Sequence, residues 1–118
     1  MRFQHDPAKA AANLRKHGVS FADAEGVLED PLAVTVEDPD AEDEPRFVTV
    51  GLGSAGELLV AVWTERDDEC RLISVRRPTR KERKHYESLI RLFQRQARRG
   101  YPAKRQDAHL HLHRQRSA

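Results

Sequence analysis

A chain of 118 residues is the size of one domain, and its single cysteine, Cys70, excludes an internal disulfide framework. Its longest apolar run, Leu58–Trp63, is far shorter than the ~20 residues a membrane helix needs, and Met1–Ser20 holds no apolar stretch of the secretory kind. The net charge of +2 is small, so one modest core in a cytoplasmic, reducing setting is expected, with the interest lying in how the charge is distributed.

In chain order, Arg2–Gln4 can add an edge strand. Asp6 can cap a helix starting at Pro7, where the fixed φ of proline suits the first turn and its missing N–H costs nothing. Gly18 is a natural left-handed stop for that helix. Ser20 then caps a second helix, with Asp23 three residues on in a capping-box-like spacing, and Asp30-Pro31 ends it. Lys16 and His17 thus fall in a last helical turn, where the negative end of the dipole favours cations.

A series of strand signals follows. Leu32–Val36, Arg46–Leu52, Glu57–Thr64 and Cys70–Val75 carry β-type patterning, and their short links favour antiparallel neighbours in a four-stranded meander. Leu58–Trp63 is apolar on both faces and is expected to be the central, most buried strand. The link Glu37–Glu44 reads as a solvated acidic hairpin loop; it lacks the spacing and the glycine of an EF-hand.

Thr79-Arg80-Lys81-Glu82 is a capping box and the clearest helix start in the chain. Tyr86, Leu89, Ile90, Phe93 and Ala97 follow at helical spacing as a core-facing stripe, and Arg80, Lys84, Arg91, Arg95 and Arg98 fall on another face. Gly100-Tyr101-Pro102 stops that helix. The order predicts an α+β domain over residues 1–98: two N-terminal helices, an antiparallel sheet of four to five strands and a long C-terminal helix. Residues 99–118 are expected to form a basic, disordered tail. Within it His109, His111 and His113 alternate with leucines; a short His-rich tract is a compositional cue only, and no metal is assigned to it.

Charge is strongly polarised. Ten acids and no Lys or Arg lie between Phe21 and Pro45, whereas fourteen bases face three acids from Arg76 onward. Such asymmetry points to a polyanionic partner for the basic part, usually nucleic acid, although a solvated helix with a basic tail would show the same pattern.

The runs D-P-x-K-A (Asp6–Ala10), N-L-R-K-H-G-V-S-F (Asn13–Phe21), E-D-P (Glu29–Pro31), R-F-V-T-V-G-L (Arg46–Leu52), T-E-R (Thr64–Arg66) and I-S-V-R-R (Ile73–Arg77), followed by E-R-K-H-Y-E, occur in one collinear order. Over roughly residues 3–90 the chain resembles the BrnT family of bacterial toxins. The resemblance implies a RelE-like fold and a type II toxin–antitoxin system. In such a system the toxin cleaves RNA without a metal or cofactor and is blocked by a small DNA-binding antitoxin of the ribbon-helix-helix type, which also drives oligomerisation. Two departures stand out: Gln4-His5 replaces the family's acidic residue and tryptophan before Asp6, and Ile73-Ser74-Val75-Arg76 replaces its I-S-A-R.

Metal-free cleavage of RNA needs a base for the 2′-hydroxyl proton, cations for the phosphorane charge and an acid for the departing 5′-oxygen. His17 is the best acid or base on residue type, because imidazole titrates near neutral pH; the plainer alternative is a helix-end histidine serving carbonyls. Lys16 suits phosphate contact. Arg66, Arg76 and Arg77 sit at strand ends, where rigid backbone can aim a guanidinium at phosphate, and Arg46 and Arg71 resemble them. Arg80, Lys84, His85, Arg91 and Arg95 would add an RNA-binding helix face. The rival readings are a non-catalytic RNA- or ribosome-binding protein using the same helix, and a structural partner that only sequesters a cognate protein.

Overall fold

A computed structural model describes residues 2–98 of the chain; residues 99–118, and with them the predicted tail and its histidines, lie outside the described part. Strand β1 (Arg2–Gln4) opens the fold, followed by helices α1 (Pro7–His17) and α2 (Phe21–Glu29). Strands β2 (Val34–Glu37), β3 (Phe47–Leu52), β4 (Leu58–Arg66) and β5 (Glu69–Arg76) come next, and helix α3 (Arg80–Arg98) completes it. No helix among the described residues is long and apolar enough to cross a membrane.

The helix ends obey the expected chemistry. Asp6 accepts a hydrogen bond from the Ala8 N–H at 2.8 Å, and Gly18 closes α1 with φ 70°, its N–H reaching the Leu14 carbonyl. Ser20 Oγ accepts from the Asp23 N–H at 3.3 Å. At α3 the capping box is reciprocal: Thr79 N–H donates to Glu82 Oε1 at 2.8 Å, and Glu82 N–H donates to Thr79 Oγ1 at 3.2 Å.

The five strands form one sheet in the order β1-β5-β4-β3-β2. β2 through β5 are antiparallel neighbours, as the short links predict, while β1 pairs with β5 in parallel, which the long connection through α1, α2 and β2–β4 permits. β4 is central. The link from β4 to β5 is tighter than the sequence suggests: Arg66 pairs with Glu69, leaving only Asp67 and Asp68, both at positive φ. Aspartate tolerates that backbone region better than most residues, which allows a two-residue hairpin without glycine. A register shift at Val62/Trp63 leaves Ile73 as the extra residue on β5.

The two faces of the sheet are packed unequally. On one, α1 and α2 cover a core of Val19, Phe21, Ala24, Val27 and Leu28 against Phe47, Leu59, Ala61, Trp63, Leu72 and Val75. The valines, leucines and phenylalanines among them stabilise by about 1.5–3 kcal/mol each relative to exposure. The buried Trp63 Nε1–H donates to Thr49 Oγ1 at 2.9 Å, and Thr49 Oγ1 lies 2.8 Å from Thr35 Oγ1. The His5 ring packs edge-on to Phe21 at 5.5 Å, so an aromatic ring is kept at that N-terminal position.

The other face is covered only in part, by the first half of α3. Tyr86 is buried, and its hydroxyl donates to Asp30 Oδ2 at 2.5 Å. Leu89, Ile90 and Phe93, expected in the core stripe, are only half-buried, and Leu92 is 44% exposed. The helix makes its main contact with the sheet near its start, so its amphipathic stripe outruns the surface that could cover it. Ala97 lies outside the described side chains.

Candidate functional site

The junction of α1 with the end of β5 brings the Lys16-His17-Gly18 corner to Arg77. Two anchors build it. Asn13, buried in α1, donates from Nδ2 to the Val75 carbonyl at 2.8 Å and to the Val19 carbonyl at 3.1 Å, and its Oδ1 accepts from the Val75 N–H at 3.0 Å. β1 pairs with β5 only at Glu69–Arg71, so the Asn13 amide takes the place of a further strand beside Val75. Arg77 then donates from Nη1 to the His17 carbonyl at 2.9 Å, meeting a carbonyl at the negative end of α1. Its Nε pairs with Glu57 Oε1 at 3.0 Å. Lys16 is exposed and His17 half-buried at this corner.

Arg76 is next in sequence but serves a different contact. It makes a bidentate pair with Glu82 on α3, Nη1 to Oε1 at 2.9 Å and Nη2 to Oε2 at 3.0 Å. The guanidinium, assisted by the Thr79 N–H, holds the Glu82 carboxyl down at about 2, and the same pairing raises Arg76. Arg76 thereby locks the β5–α3 connection.

The five arginines taken as a strand-end group do not form one cluster. Arg66 pairs with Glu69 and Arg76 with Val60, so six residues of β4, about 20 Å of extended strand, separate them. Arg66 lies instead with Arg46 and Arg71 at the opposite end of the sheet. There each has a partner: Arg66 Nη2 meets Glu44 at 2.9 Å, Arg46 Nε meets Asp38 at 3.0 Å, and Arg71 Nη1 donates to Gln4 Oε1 at 3.0 Å. The Glu37–Glu44 link is thus a loop, as expected, but two of its acids are engaged with the sheet. Asp38 is held below the ordinary carboxylate range, first by the Asp40 N–H and then by Arg46. A cavity of about 440 Å³ lies between this loop and the Arg46, Thr64 and Ile73 side chains.

On α3, Arg80, Lys84, Arg91 and Arg95 are exposed. His85 is exposed too and lines an apolar groove with Tyr86, Lys81 and the valines of β2 and β3. Among the described residues, no group of three or more His, Cys, Asp or Glu side chains is arranged to hold a metal ion.

Sequence reasoning passed over Asn13 and Glu57. An asparagine mid-helix is an unfavourable choice without a tertiary role, which was the available signal for Asn13. Glu57 had none, since its partner lies 20 residues away in β-sheet geometry.

Comparison with known proteins adds the family. A family model described as ribonuclease toxin, BrnT, of type II toxin–antitoxin system matches residues 5–82. The 1.1 Å crystal structure of the Brucella abortus ribonuclease toxin BrnT is similar at 23% identity and a TM-score of 0.49, covering 68% of this chain and 99% of that one. No curated protein sequence matches.

Proposed function

The chain belongs to the BrnT family, the ribonuclease toxins of type II toxin–antitoxin systems, and we propose that it cuts RNA internally without a metal, by attack of a 2′-hydroxyl on the adjacent phosphorus. In that reaction the 2′-oxygen forms a bond to phosphorus, the bond to the 5′-oxygen breaks, one side chain takes the 2′ proton and another returns a proton to the leaving oxygen. The observation that carries this reading is the corner where Arg77 binds the His17 carbonyl at 2.9 Å, beside exposed Lys16. The contact brings the Arg77 guanidinium, paired also with Glu57, to the chain segment that carries Lys16 and His17.

In this mechanism His17 is the acid or base, Lys16 binds phosphate, and Arg77 stabilises the phosphorane charge. Arg76 supports the same strand end while tied to Glu82. Arg66, Arg46 and Arg71 stand too far away to share that phosphate and act as contacts to another part of the strand. Arg80, Lys84, His85, Arg91 and Arg95 extend the RNA surface along α3. The cognate antitoxin is a small ribbon-helix-helix protein that binds DNA, silences the toxin and sets the oligomeric state.

The test is incubation of the purified full chain with RNA in excess EDTA, followed by analysis of the product ends. Fragments with 2′,3′-cyclic phosphate or 3′-phosphate termini are expected. Cleavage abolished by EDTA removes the metal-free mechanism, and RNA bound but left intact converts the chain into a binding protein.

A further inference from the structure

The partly covered face of the sheet ends in an apolar groove. Its floor is Val34 opposite Val50 and Val36 opposite Val48, its wall is Lys81, Glu82, His85 and Tyr86 of α3, and its volume is about 320 Å³. Val36 is 58% exposed. Branched valine side chains fixed on paired strands make a rigid floor, already shaped before anything binds.

We propose that this groove is the docking site for an acidic amphipathic helix of a partner protein, its apolar residues on the valines and its carboxylates along α3. The proposal rests on the toxin–antitoxin reading above and assigns the antitoxin's place on the molecule. Charge complementarity selects the occupant. The exposed side of the wall helix carries Arg80, Lys81, Arg83, Lys84, Arg91 and Arg95, against the acids Glu82 and Glu87, and Glu82 is already paired with Arg76. An aliphatic floor offers RNA neither donors nor a stacking ring. The chain's own residues 99–118 carry five Lys or Arg and one acid, and a second copy docked groove to groove about a two-fold axis would set one basic α3 against another, so like charge disfavours both. An acidic helix with apolar residues at i, i+3/i+4 and i+7 meets floor and wall together.

The experiment co-expresses the full chain with the product of the adjacent reading frame and maps the complex by amide hydrogen exchange. Added protection is expected over β2, β3 and the first half of α3. Val36→Asp places a charge on the floor and should weaken the complex by about 100-fold or more, while leaving RNA cleavage by the free chain unchanged. Lys81→Glu should slow association and flatten its salt dependence. A complex that protects the His17 corner or the α1–α2 side instead, or that survives Val36→Asp intact, overturns the docking site and leaves the toxin reading standing. Protection of the valine floor on β2 and β3 by RNA, or a self-association of the free chain lost in Val36→Asp, overturns it equally. Failure of the two proteins to associate, in a chain that still cuts RNA, removes the antitoxin part of the functional reading as well.

Discussion

His17 and Arg77 meet through the main-chain oxygen of His17, which makes the imidazole separable from the architecture around it. His17→Ala keeps that carbonyl and the Asn13 anchors, so the corner should persist. Loss of general acid–base catalysis should lower the rate of RNA cleavage by about 10²–10⁴-fold with little change in RNA affinity, measured by single-turnover cleavage beside equilibrium binding. A rate equal to wild type would remove His17 from the mechanism. Gly26 gives a second single-residue forecast. A glycine inside a helix ordinarily costs about 0.5–1 kcal/mol relative to alanine. Here a Cβ at Gly26 would stand 2.3 Å from the Ser54 nitrogen and 2.7 Å from the Gly53 carbonyl carbon, where the β3–β4 turn seats on α2. Gly26→Ala should therefore destabilise, by about 1–3 kcal/mol, the range of core overpacking. A lowered urea midpoint at unchanged slope would show it; a raised midpoint would refute the close approach.

The connection from β5 into α3 depends on Glu82, which caps the helix and clamps Arg76 at once. Its carboxyl sits at about 2 in the folded protein against an ordinary value of 4.5. Between those values the unfolded chain binds the proton and the folded chain does not, so stability falls as pH drops from about 4.5 toward 2. Glu82→Gln should be less stable at neutral pH and show a shallower loss over that acid range in pH-dependent denaturation. The outer part of the same helix tests its role with RNA. Arg91 and Arg95 are exposed and lie clear of the buried Tyr86. If each contacts a phosphate, replacing both with glutamine should reduce the log–log salt slope of RNA binding by about 1.4, at ~0.7 per contact on single strands. An unchanged slope would leave α3 a structural element only.

Over the whole molecule the polarised charge becomes an internal contest. The acidic loop between β2 and β3 reaches across to Arg46 and Arg66, the cations at the end of the sheet away from the His17 corner. These pairs are partly exposed, so they add little stability and are open to competition by phosphate. Glu44→Gln should free Arg66, tighten RNA binding and steepen its salt slope by about 0.7, one contact's worth, with the melting temperature nearly unchanged. No change in the slope would place Arg66 outside the RNA path.

Local chemistry alone decided the helix ends, because capping at Asp6, Ser20 and Thr79 and the left-handed stop at Gly18 depend on neighbours a few residues apart. The antiparallel meander and the central position of Leu58–Arg66 were set the same way, by short links and an apolar run on both faces of a strand. The grouping of side chains was not. Arg66 and Arg76 are both strand-end arginines in the sequence, yet antiparallel pairing sends the ends of consecutive strands to opposite ends of the sheet. Asn13 and Gly26 have no local reason to sit inside helices; β5 and the Gly53-Ser54 turn packed against them supply it. The stripe on α3 predicts an apolar face but not how much sheet lies beneath it, since that depends on where the helix crosses, which tertiary packing alone decides.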